Sequence, residues 1–183
     1  MFSNLPPYAA WRFVDAVDGF EVMYAEPGRL RGHTSAVEDG SAYAVAYEIT
    51  LDDHWRTREV RVSSDTVTGT CSTVLLSDGD GRWSVDGVPA PHLDDLVDVD
   101  LEASACTNTL PVHRLELPVG KDTVASAVYV QALDLAVRRL DQTYRRLDDH
   151  RFDYSSEGGF HAVLTYDASG LVVDYPGIAQ RFA

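Results

Sequence analysis

Lysine is almost absent from this chain. Lys121 is the only one in 183 residues, and arginine supplies the rest of the 15 basic side chains. Against 29 Asp and Glu this leaves a net charge of −14. Such a surface repels phosphate backbones and anionic headgroups, which argues against nucleic acid as a partner and against an affinity for membrane surfaces. Cysteine is equally scarce: Cys71 and Cys106 stand alone, without a C-x-x-C spacing, so two reduced thiols are expected rather than a disulfide framework. No apolar run approaches the roughly 18 residues needed to cross a bilayer, so stable membrane insertion is not expected. Residues Met1–Pro7 offer neither a basic nor an apolar targeting segment, and a cytoplasmic address is the expectation. The six histidines (33, 54, 92, 113, 150 and 161) form no H-x-H or H-E-x-x-H, and no P-loop, dinucleotide fingerprint or G-x-S-x-G is present. Neither a metal, a cofactor nor a catalytic set is therefore expected.

What the chain does have is strand alternation. Tyr43, Val45, Tyr47, Ile49 and Leu51 share one face of a period-2 run. Trp11–Tyr24 reads as two short strands about an Asp18-Gly19 turn, and the polar stretch 26–41 reads as a loop. Asp52-Asp53-His54 turns the chain into a returning strand, 55–63. A hairpin joins 71–77 to 82–86 across Asp78-Gly79-Asp80-Gly81, where glycine tolerates positive φ. Further strands are expected at 97–101, 110–117, 124–130, 160–166 and 171–175. Residues 133–147 carry a helical stripe (Leu133, Val137, Leu140, Tyr144, Leu147) that competes with a strand reading. Strand is favoured, because the segment aligns with a strand–turn–strand elsewhere in the chain.

That alignment is an internal repeat. Residues 51–81 match 140–170 at a constant offset of 89 positions, with Leu51/Leu140, Asp52/Asp141, Arg56/Arg145, Gly69/Gly158, Val74/Val163, Leu75/Leu164, Asp78/Asp167 and Gly81/Gly170 identical. A single domain over 1–183, with duplicated units at about 43–87 and 132–177, is the expectation. The fold class is mainly β (β-rich α+β): an antiparallel sheet curved into a half-barrel or closed barrel, with few helices.

Candidate chemistry is sparse. Asp98 and Asp100 share a strand face and could serve acid–base chemistry with His113, which would make a hydrolase or lyase acting on a sugar or lipid. A solvated strand face is the simpler reading of D-x-D in so acidic a chain. Arg114, among Leu110, Val112, Leu115 and Leu117, requires a buried carboxylate, and Asp98 or Asp100 could provide it. The repeat also pairs Trp55-Arg56-Thr57-Arg58 with Tyr144-Arg145-Arg146. An aromatic face beside a guanidinium suits a sugar or acyl-phosphate head, although core aromatics beside surface arginines look the same.

Several strings occur together: Tyr47 with Trp55-Arg56-Thr57-Arg58, Asp80-Gly81-Arg82-Trp83, Asp98-Val99-Asp100-Leu101, Thr107-Asn108-Thr109-Leu110-Pro111 with Arg114-Leu115, Gln142-Thr143-Tyr144, and Gly170-Leu171-Val172 ending in Asp174-Tyr175-Pro176-Gly177. This set resembles the bacterial putative glycolipid-binding family over roughly 11–182. The resemblance implies a curved β-sheet enclosing an apolar cavity for a small amphipathic ligand, a glycolipid or lipid, bound without catalysis. It points to Trp55, Arg56, Arg58, Trp83, Asn108, Arg114 and Tyr144 as ligand-binding candidates. A homo-oligomeric interaction module, whose exposed sheet edge pairs with another chain or with a copy of itself as in a homodimer, is a further alternative.

Overall fold

The computed structural model describes residues 2–15 and 17–183. The strands in chain order are β1 (Tyr8–Phe13), β2 (Val17–Glu26), β3 (Arg29–Glu38), β4 (Ser41–Leu51), β5 (Thr57–Thr66), β6 (Gly69–Ser77), β7 (Trp83–Val85), β8 (Val88–Pro89), β9 (Asp98–Leu101), β10 (Asp122–Val124), β11 (Ala127–Val130), β12 (Val137–Leu140), β13 (Gln142–Arg146), β14 (Arg151–Ser156), β15 (His161–Tyr166), β16 (Val172–Tyr175) and β17 (Ala179–Arg181). One α-helix, α1 (Thr109–Arg114), follows a 3-10 turn at Cys106–Asn108.

Fourteen strands form one antiparallel sheet in the order β10-β13-β14-β15-β16-β17-β1-β2-β3-β4-β5-β6-β7-β8, and β12-β11-β9 form a second, small one. The large sheet does not close, which corrects the closed-barrel alternative. Its ends are blunted instead: β8 is two residues long and carries Pro89, and β10 is three residues long. Between them, β6 is paired by β7 only over Leu75–Ser77, which leaves Gly69–Thr73 without a strand partner on that side.

The sheet curls around the chain's own middle segment. From the N-terminal half, Glu21 of β2, Thr34 of β3 and Ser64 of β5 bond to Ser104, to the Ala103 carbonyl and to the Ala132 carbonyl. From the C-terminal half, Gln142 and Tyr144 of β13 reach Asp100 and Asn108, and the Tyr166 hydroxyl of β15 donates to the Asn108 carbonyl at 3.2 Å. Residues 98–112 and 127–132 thus plug the concavity, where Val99, Leu101, Cys106, Leu110, Val128 and Val130 are buried, while 122–124 form the edge strand β10 of the large sheet. The concavity in which the resemblance implied an apolar cavity is therefore occupied by the chain itself. Its space is filled by α1 and the small sheet, each large apolar side chain contributing about 1.5–3 kcal/mol.

Four local expectations differ from what forms, the first being the strand at 124–130, which is divided between β10 of the large sheet and β11 of the small one. Within stretch 26–41, Arg29–Glu38 form strand β3 rather than a loop. Its inward face is Leu30, Gly32, Thr34 and Ala36, all buried, small because the Tyr47 ring lies directly over Gly32, where any Cβ would clash. Gly19 likewise sits inside β2 rather than in a turn: it pairs with Ala36, whose Cβ occupies the space a side chain would need. Segment 110–117 starts as helix α1, with Pro111 inside its first turn, where a missing N–H costs nothing. Residues 133–147 form β12 and β13, as the strand reading holds.

The offset of the sequence repeat brings the turn after β5 onto the turn after β14. It also lays Trp55, in a turn, over Tyr144, inside β13, and sets Leu51 of the large sheet over Leu140 of the small one.

Candidate functional site

At one mouth of the curled sheet a cleft of about 310 Å³ remains between the two halves and the plug. Phe13, Tyr43, Tyr154, Phe160 and Tyr175 supply aromatic walls, and Asp100, Asn108 and Ser104 come from the plug. Glu38, Glu102, Glu157 and Arg138 stand around it. Each is placed by strand alternation: Tyr43 and Tyr154 face inward on β4 and β14, and Asp100 points from β9 toward β13.

Asp100 anchors the floor. Its carboxylate accepts from the Thr107 hydroxyl at 2.8 Å and from the Gln142 amide. Burial pushes this carboxyl above the usual aspartate range, and the neighbouring Asp98 and Glu102 charges push the same way. Behind it, the Asn108 side-chain oxygen accepts from the Tyr144 hydroxyl at 2.7 Å. The rings of Tyr154, Phe160 and Tyr175 meet edge-on, with centroids 5.9–6.1 Å apart, a packing that fixes the wall rigidly. At the rim, Glu102 accepts from the Tyr129 hydroxyl and the Ala132 N–H, both at 2.7 Å. Arg138 pairs with Glu157 and lies 4.6 Å from the Tyr129 ring centroid. Burial raises the Glu38 carboxyl, with Glu102 and Asp39 adding to the rise, and burial pushes the Tyr43 hydroxyl up to about 12.

The seven sequence candidates do not converge. Asn108 lines the cleft and Tyr144 stands directly behind it, fully buried. Trp55 stacks on His113 with ring centroids 3.7 Å apart. It adopts positive φ (63°) in a turn held by the Asp52 carboxylate, which accepts from the His54 and Arg56 N–H groups. Arg56 donates to the Gly79 carbonyl at 2.9 Å, and the Arg58 guanidinium covers Gly79. Trp83 is buried with its indole N–H on the Leu96 carbonyl at 2.8 Å. Arg114 forks onto Asp98 at 2.7 and 2.8 Å, the partner its apolar setting demanded. Burial raises the Asp98 carboxyl and the fork pulls against that rise. Trp55 also borders a second depression of about 430 Å³ between the hairpin tips at Glu26–Gly28 and Asp52–Asp53, floored by Leu5, Leu30 and Leu51.

Nor do Asp98, Asp100 and His113 form a set. Asp98 is committed to Arg114, Asp100 faces the cleft, and His113 is held by Trp55, Phe2 and the Ser169 carbonyl, burial lowering its pKa. The solvated-face reading of D-x-D also falls, since both aspartates are buried.

One buried acid gave no sequence signal. Glu21, fully buried, accepts from the Tyr47 and Ser104 hydroxyls and from the Ala105 N–H at 2.8 Å. Its only clue is an acidic residue between Phe20 and Val22 on a strand.

These features define a mainly-β protein in which one curled antiparallel sheet holds an inserted segment and leaves a polar, aromatic cleft. A family model described as "Putative glycolipid-binding" matches residues 9–181, and the chain belongs to that family. A crystal structure of a DUF1089 family protein from Pseudomonas aeruginosa is similar over 100% of this chain and 99% of that one, at 32% identity and a TM-score of 0.86. No curated protein matches.

Proposed function

We propose that the chain binds a glycolipid or related amphiphile through its sugar head, received by the cleft at Asp100 and Asn108, without catalysis. The observation that carries this is the cleft's composition. Flat aromatic walls offer stacking to sugar C–H faces, and carboxylate and amide oxygens accept from hydroxyls. Its volume lies at the small end of ligand pockets, roughly 300–1,000 Å³. With residues 98–112 and 127–132 occupying the concavity, the acyl chain of an amphiphile would lie outside or along the surface. Affinity then comes from the head rather than from about 0.8 kcal/mol per buried CH₂.

Calorimetric titration with methyl glucoside, octyl glucoside and octanoate tests this. The two glucosides should bind with affinities within a few-fold of each other, and octanoate should not bind. Octanoate binding as tightly as octyl glucoside would contradict the proposal and would favour the apolar depression beside Trp55.

A further inference from the structure

Charge at the cleft is unbalanced. Glu38, Asp100, Glu102 and Glu157 are the acids around it, and Arg138 is the cation among the described lining residues. Arg138 is already committed, to Glu157 on one side and to the Tyr129 ring on the other. Asp100 and Glu102 are satisfied by neutral donors, Thr107, Gln142, Tyr129 and a backbone N–H, none of which cancels charge. The lining rings of Tyr43, Tyr154, Phe160 and Tyr175 add aromatic surface to the cleft. A site with electron-rich rings and uncompensated carboxylates attracts an organic cation. It suits a metal ion poorly: among the described residues no three His, Cys, Asp or Glu side chains group to hold one.

Resting on the sugar-head reading above, we infer that the cleft selects a head group bearing a protonated amine, an amino sugar, over neutral or anionic sugars. The ammonium sits between the Asp100–Glu102 carboxylates and the tyrosine walls, and the remaining hydroxyls use Asn108 and Ser104. An acidic head is rejected by the same field, because no free cation among the described lining residues neutralises it.

The test is a titration series with glucosamine, N-acetylglucosamine, glucose and glucuronate at neutral pH, where the amine is still mostly protonated and the acids, which burial raises, are favoured as carboxylates. Glucosamine should bind about tenfold more tightly than N-acetylglucosamine or glucose, since one close charge pair in a partly wet site supplies at least that factor. Glucuronate should bind weakest. The rim variants Glu38→Gln and Glu102→Gln, checked for unchanged melting, should each shrink the glucosamine-to-glucose ratio, and 0.5 M salt should shrink it further. Equal binding of glucosamine and glucose would overturn charge selection while leaving the sugar-head reading intact. No binding by any of the four, with the glucosides also silent, would overturn both.

Discussion

Glu21 and Asp100 are two buried carboxylates inside one curled sheet, and they differ in what reaches them. Glu21 is sealed where β2 and β4 meet the plug, its oxygens taken up by Tyr47, Ser104 and Ala105. Asp100 has two neutral donors on its inner side and a cleft on its outer side. Burial raises both pKa values. A perturbed carboxylate by itself therefore does not mark a site here. The access of open space to it does, and that separates the scaffold region of the plug from its binding region.

The comparison can be broken most forcefully on the scaffold side. Arg114→Met leaves Asp98 buried without a partner and should cost about 3–5 kcal/mol in denaturant unfolding. The double variant with Asp98→Asn should recover much of that loss. A harmless single variant would show that the fork does not hold the plug.

Glu21→Gln comes next. It turns an amide N–H₂ toward groups that now donate, at about 2–3 kcal/mol. Its pH dependence has a definite sign. Burial raises the folded-state pKa of Glu21 above its unfolded value, so the folded state holds this proton more tightly. The stabilisation is complete below the ordinary glutamate range and is lost as pH rises through the folded value. The stability gap between native protein and E21Q should thus be widest in acid and narrow toward neutral pH. A gap that widens instead would mean that Glu21 is held as a stabilised anion.

Trp55→Ala removes the stack on His113 and should cost about 1 kcal/mol beyond the lost area, with glucoside affinity unchanged. A matching loss of affinity would move the site to the depression at the hairpin tips. The smallest stability effect belongs to Phe160→Ala, a half-buried wall residue. It should cost about 1–2 kcal/mol through the lost edge-on contacts with Tyr154 and Tyr175, and bind glucoside about five- to tenfold more weakly, near 1–1.4 kcal/mol.

Legibility in the sequence followed how local each signal was. Strand β4 shows itself because Tyr43, Val45, Tyr47 and Ile49 alternate with small or polar residues. Strand β3 hides because its inward side shrinks to Gly32, Thr34 and Ala36 beneath Tyr47, leaving hydropathy with little to report. Helix α1 hides for the opposite reason: Leu110 and Val112 alternate as in a strand, and burial against β9, not propensity, sets their backbone. Arg114 announces a carboxylate partner through chemistry alone, and Asp98 fills that role. The cleft cannot be read that way. Phe13, Tyr43, Asp100, Tyr154 and Tyr175 lie on five different strands, and only the curl of the sheet brings them to one mouth. The aromatic–arginine string at Trp55–Arg58 is locally conspicuous, yet it serves a strained turn and the Gly79 loop.

Amide and side-chain chemical-shift mapping of the labelled protein during a glucosamine titration tests the central division most directly. Shifts concentrated at Asp100, Glu102, Asn108, Tyr154 and Phe160, with Glu21, Trp83 and Arg114 silent, are the predicted result. Shifts centred on Trp55, Arg56 and Leu51 instead, with the cleft residues unmoved, would contradict it.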